Sequence, residues 1–178
     1  YSKEKYKVKI INACGEWDEY LEIFKQYDID LIEFKFKFFS YLPKKGFIGS
    51  RISYLIIILF SFLPLLNILK KDKPEFIIIH LLTSLPLILN NFFNFQTKFI
   101  LRISGFPKLN LFRKFLWNNS SKNIFKITSP TKDLFSYLRK QNIFQTEKIF
   151  YLQDAIINIQ DYVKKIKTND KIFLDKIK

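Results

Sequence analysis

The chain has a single histidine, and it closes a run of β-branched and aromatic residues, Pro74-Glu-Phe-Ile-Ile-Ile-His80. A second such run, Lys98-Phe-Ile-Leu-Arg-Ile-Ser-Gly105, carries Arg102 inside it and Ser104-Gly105 at its end. An imidazole at a strand end can bond a sugar hydroxyl or donate to a phosphate oxygen. The first amides of a following helix favour an anion in the same place. The same histidine could instead bond nearby backbone and only close the strand. Arg102 is a charge among apolar neighbours, so it needs a partner or the sheet edge. Either it grips a phosphate or carboxylate with its fork of N–H groups, or it forms a structural ion pair with Glu75 or Asp154. Ser104-Gly105 either brings backbone close to a ligand or turns the chain. Ser129 and Thr131 touch substrate or cap a helix. Asp154 bonds ligand hydroxyls or closes a turn, and Cys14-Gly15-Glu16 reads as a turn.

The elements that must position these residues alternate. Lys7 to Ala13 reads as a strand. Glu16 to Tyr27 reads as a helix, with Trp17, Tyr20, Leu21 and Phe24 on one face and Glu16, Asp18 and Glu19 at its positive end. Ile29 to Phe34 is a second strand. Residues 35–50 are basic and aromatic with Pro43, Gly46 and Gly49, so a loop or lid is expected. Further strands are expected at Phe76 to His80, Thr97 to Ile103, Ile124 to Thr128 and Lys148 to Leu152. Thr83 or Ser84 is placed to cap one helix and Asn110 the next, while Ser129-Pro130 reads as a cap followed by proline at the first helical position. Strands alternating with helices predict an α/β fold: a mainly parallel sheet with helices on both faces. Ligands of such sheets bind at the carboxyl ends of the strands, where His80, Arg102, Ser104 and Gly105 fall.

The bulk properties narrow the chemistry. The 178 residues are enough for one domain with its own core. A net charge of +14 favours anionic partners. No nucleic-acid module with stacking aromatics or a basic helix is visible, so no nucleic acid is expected. One Cys and one His exclude a metal site built on those ligands and any disulfide within the chain, and no cofactor or metal is expected. No Walker loop, dinucleotide fingerprint or Ser/His/Asp order is present. The chain begins at Tyr1 and has no Met, which leads us to expect a fragment.

Ile52 to Leu69 holds no charged residue over 18 positions, close to the ~20 apolar residues of a membrane span. Pro64, Ser53, Ser61 and Asn67 dilute it. Three readings stay open: a helix buried against the sheet, a span, and a helix resting on a membrane. We expect the third, with Arg51, Lys44, Lys45, Lys70 and Lys71 meeting anionic head groups.

The order of motifs resembles the N-terminal domain of family-4 glycosyltransferases, closest to bacterial enzymes that build surface polysaccharides. It rests on Pro74-Glu75 and a strand ending in His80, on Arg102-Ile-Ser104-Gly105, and on Ile127-Thr-Ser129-Pro-Thr131-Lys-Asp133. The family's usual second histidine is Leu82 here, and Tyr151-Leu-Gln-Asp-Ala-Ile156 stands where the family has Asn-Gly. The resemblance runs over about residues 7 to 160. It implies a Rossmann-like GT-B N-terminal half over 1–160, truncated at its start, and a linker over 161–178 towards a donor-binding domain. The implied activity is transfer of a sugar from a nucleotide sugar to a glycan or lipid-linked acceptor, at the cytoplasmic face of the inner membrane. His80 would be the catalytic-site residue. Arg102, Ser104, Gly105, Ser129, Thr131 and Asp154 would contact substrate. The Lys/Arg and Glu cluster that grips the donor diphosphate in that family has no counterpart here, so these 178 residues alone are expected to transfer no sugar. The rivals are a non-enzymatic basic membrane protein with a span at 52–69, and a basic nucleic-acid binder.

Overall fold

A computed structural model describes residues 6–13, 17, 20–34, 36, 39, 41–43 and 46–154. Cys14, Gly15, Glu16, Asp18, Glu19, Lys44, Lys45 and the linker expected over 161–178 lie outside the described residues. The elements alternate along the chain: β1 (Lys9–Asn12), α1 (Leu21–Gln26), β2 (Asp30–Glu33), α2 (Phe47–Lys71), β3 (Phe76–Ile79), α3 (Ser84–Phe92), β4 (Lys98–Arg102), α4 (Leu111–Ser120), β5 (Ile124–Ser129), α5 (Lys132–Lys140) and β6 (Ile149–Tyr151).

All pairings are parallel, as the alternation of strands and helices requires. The strands form two sheets, β1-β2 and β3-β4-β5-β6, flanked by helices in a Rossmann-like α/β arrangement. Among the described residues no backbone ladder joins the two sheets. Ile11, Ala13 and Ile32 pack against the main core, and Lys9 Nζ donates to Asp72 Oδ2 at 3.0 Å.

The main core is explained by strand alternation. In β4, Phe99 and Leu101 are fully buried, while Ile100 and Arg102 face the other side and are half-buried. Ile79, Leu101, Ile127 and Ile149 lie in one register row and are all buried. Neighbouring strands follow in chain order, so right-handed crossovers carry α3, α4 and α5 to the same side of the sheet. Leu87 and Leu89 of α3, Leu116 and Trp117 of α4, and Leu134 and Leu138 of α5 meet the buried row there. On the opposite side Ile78 is 66% exposed.

Two caps form and one does not. Asn110 accepts from the Arg113 amide at 2.8 Å, and Thr131 accepts from the Leu134 amide at 3.3 Å. The cap of α5 is therefore Thr131, and Pro130 precedes it rather than opening the helix. Thr83 stands at the N-cap of α3 without a side-chain bond, because its backbone is already helical (φ −81°, ψ −30°). A capping side chain needs the extended conformation to reach back to the first amides. Ser84 takes a hydrogen bond from the Tyr54 hydroxyl instead.

The apolar segment is longer than its uncharged run. α2 begins at Phe47, inside the expected loop, and ends at Lys71. Gly46 starts it at φ +87°, a conformation that glycine adopts freely. A Cβ on Gly49 would lie 3.0 Å from the Pro43 side chain, so the loop sits tightly against the helix at this glycine. Ser53 then donates to the Pro43 carbonyl at 2.7 Å. One face of α2 packs inward through Ser61, Leu65 and Leu69. The helix is long and apolar enough to cross a membrane, but its inward face is committed to the protein core.

Candidate functional site at the carboxyl edge of the sheet

His80 follows Ile79, which pairs with Leu101, so His80 lies level with Arg102. Arg102 pairs with Thr128, and Thr128 with Phe150. These four residues thus stand in one row across the sheet. The chain then turns sharply after β3. Leu82 N bonds the His80 carbonyl at 2.8 Å and Thr83 N bonds the Leu81 carbonyl at 3.0 Å. Leu81 sits at φ +64° and is 69% exposed. A left-handed conformation costs a bulky residue about 1–2 kcal/mol, which the surrounding turn must offset.

His80 Nε2 and Ser104 Oγ lie 3.2 Å apart, and both residues are exposed. A nucleophilic serine needs a base that is itself held by a third group. Among the described residues no partner holds the other nitrogen of His80, so the three-group relay is not assembled here. Among the described residues no group of His, Cys, Asp and Glu could hold a metal ion.

Arg102 is largely buried, its side chain 13% exposed, and satisfies most of its fork within the protein. Nη1 donates to Thr128 Oγ1 at 3.4 Å and to the Leu152 carbonyl at 3.3 Å, and Nη2 pairs with Asp154. Of its two sequence-level partners, Asp154 is taken, while Glu75 pairs with Lys98 at 3.4 Å. Arg102 therefore clamps β4, β5 and the chain leaving β6, and it still lines the opening beside them.

That opening has a volume of about 150 Å³ and is lined by Leu81, Thr83, Arg102, Ser104, Gly105 and Arg113, with Trp117 at its back. Whole small-molecule sites run from ~300 Å³ upward, so this opening is smaller than a whole small-molecule site. A Cβ on Gly105 would meet nothing within 4 Å, which leaves the approach open. Four of the expected residues do not line it: His80, which reaches it only through Ser104, and Ser129, Thr131 and Asp154. Ser129 is fully buried with its hydroxyl unpartnered, and Thr131 spends its hydroxyl on the cap of α5. Asp154 reaches the site through Arg102.

Thr83, Arg113 and Trp117 were not among the expected site residues. Arg113 and Trp117 read as ordinary positions of an amphipathic helix, and only the fold turns them towards Ser104. Arg113 donates to the Lys108 carbonyl at 2.9 Å, and its guanidinium stacks 5.9 Å from the Trp117 ring centre. Trp117 is buried and its Nε1 has no partner. A further opening of about 280 Å³ lies away from this chemistry, lined by Leu69, Lys70, Lys73 and Phe93 to Gln96. Arg51, Lys70 and Lys71 are exposed on α2, and Lys70 Nζ lies 4.8 Å above the Phe93 ring.

No protein-family model, curated protein or solved structure matches the chain.

Proposed function

We propose that this chain is the acceptor-side half of a glycosyltransferase, which transfers a sugar from a nucleotide sugar to a lipid-linked or polysaccharide acceptor. The observation that carries the reading is the meeting of His80 and Ser104 at 3.2 Å, beside Arg102, on the carboxyl edge of a parallel sheet. An imidazole and a hydroxyl side by side offer a donor and acceptors to a sugar hydroxyl. Arg113 supplies positive charge for a phosphate next to it. The small, open volume suits one end of a substrate whose remainder lies against a second domain. Exposed Leu81 at the opening offers an apolar contact to a lipid portion of the acceptor. In this reading His80 touches the transferred sugar or the acceptor, and Arg102 with Ser104 and Gly105 lines the cleft. Stabilisation of the leaving diphosphate falls to residues outside these 178.

The test is a titration of the isotope-labelled chain with a short-chain polyprenyl diphosphate monosaccharide and, separately, with a nucleotide sugar. The lipid-linked sugar is expected to move the resonances of His80, Ser104 and Gly105, with affinity falling roughly fivefold or more in His80→Ala, the loss of about one hydrogen bond. The nucleotide sugar alone is expected to leave them in place. Sugar transfer by the 178 residues alone, or an unperturbed site with the lipid-linked sugar, would overturn the reading.

A further inference from the structure

We infer that the outer face of α2 is a docking surface for an anionic lipid bilayer, on which the helix lies flat. The surface is separate from the cleft and does not depend on the reading given to it.

The two sides of α2 differ in what covers them, though both are apolar. Ser61, Leu65 and Leu69 turn inward and are buried. Ile48, Ile52, Leu55, Leu59 and Leu63 are spaced by three or four residues, so they form one stripe along the helix. They are 73%, 49%, 65%, 71% and 65% exposed. The stripe runs about 22 Å at 1.5 Å per residue. Only 17% of the most apolar stretch of α2 is buried, whereas a core helix is covered on most sides. A continuous apolar stripe left in water marks an interface with protein or membrane.

Charge selects the bilayer as the occupant. From residue 34 to residue 71 the sequence holds seven Lys and Arg and no Asp or Glu. Arg51 lies near one end of the stripe, and Lys70 continues its spacing at the other, followed by Lys71 and Lys73. Such cations draw an interfacial helix to anionic head groups while its leucines enter the acyl boundary. A span is a different geometry. It would place both sides of α2 in lipid, whereas Leu65 and Leu69 belong to the core and Tyr54 bonds Ser84 of α3 at 3.0 Å.

The experiment is vesicle flotation of the purified protein, with phosphatidylcholine vesicles that contain or lack phosphatidylglycerol. The protein is expected to float with the anionic vesicles, to lose this at high salt, and to be stripped from native membranes by carbonate. The double substitution Leu55→Ser with Leu59→Ser should weaken partitioning roughly tenfold or more, with far-UV circular dichroism and urea midpoint unchanged because both side chains are exposed. Lys70→Gln with Lys71→Gln should weaken it only on anionic vesicles. Retention through carbonate would show a span and overturn the proposal. It would be overturned equally by a soluble dimer that the Leu55/Leu59 pair dissolves in the absence of flotation.

Discussion

Arg102 and Asp154 form an ion pair that ties β4 to the chain leaving β6, and the same guanidinium reaches Thr128 of β5. One side chain thus pins three consecutive parallel strands at the edge where the candidate site lies. The pair is largely withdrawn from water, with 13% and 33% of the two side chains exposed. Removing one partner leaves the other poorly satisfied. Asp154→Ala is expected to lower the unfolding free energy by about 1–3 kcal/mol, the range for a hydrogen bond to a charged group. Urea denaturation of Arg102→Ala, Asp154→Ala and the double variant gives the coupling. Additivity within about 0.5 kcal/mol would show that the two residues act independently.

Capping separates the three helices that follow the main strands. Thr131→Ala and Asn110→Ala each remove a formed cap and should each cost about 1 kcal/mol. Thr83→Ala removes no cap bond and should stay within about 0.5 kcal/mol of the parent. A loss at Thr83 equal to that at Thr131 would mean that α3 is capped after all.

The packing of α2 can be read from two leucines ten residues apart. Leu69 is 1% exposed and Leu59 is 71% exposed. Leu69→Ala should cost about 2–5 kcal/mol, as for a buried leucine whose cavity does not collapse, and Leu59→Ala about 0.5 kcal/mol or less. Equal effects measured by thermal melts would contradict the one-sided attachment of this helix.

The turn after β3 holds Leu81 at φ +64°. Asn adopts this conformation at lower cost. Leu81→Asn is therefore expected to raise stability by about 0.5–1 kcal/mol, seen as a higher urea midpoint with an unchanged slope. A fall in the midpoint would show that the leucine side chain contributes more than its backbone costs.

Where one element satisfies several rules at once, the sequence was sufficient. In β4, alternation buries Phe99 and Leu101 and leaves Arg102 on the other face at the strand end. In α5, Asp133 at the start, Arg139 and Lys140 at the end, and Leu134 and Leu138 on one face all agree. Legibility failed where backbone geometry overruled residue type. Pro43, Gly46 and Gly49 look like a loop, yet Gly46 launches α2 and Gly49 makes room for Pro43. Thr83 has the right side chain for a cap and the wrong backbone conformation. At the cleft, His80 and Ser104 stand on adjacent strand ends and were legible. Arg113 and Trp117 approach from α4, and their part depends on a helix direction that spacing does not reveal. Ser129 shares the core face of β5 with Ile127, and strand alternation puts Thr128, also buried, on the other face.

That no ladder among the described residues joins β1-β2 to the four-stranded sheet has a kinetic consequence. The smaller pair has its own ladder and meets the main core through side chains, among them an exposed Lys9–Asp72 bond, so it forms a natural unit of local opening. Its amides, such as Ile11 and Ile32, would exchange with solvent through a cheaper excursion than global unfolding. Those of Phe99, Leu101 and Ile127 would exchange only when the whole main sheet comes apart. The protein would then have two thermodynamic layers, with the cleft built entirely on the slower one.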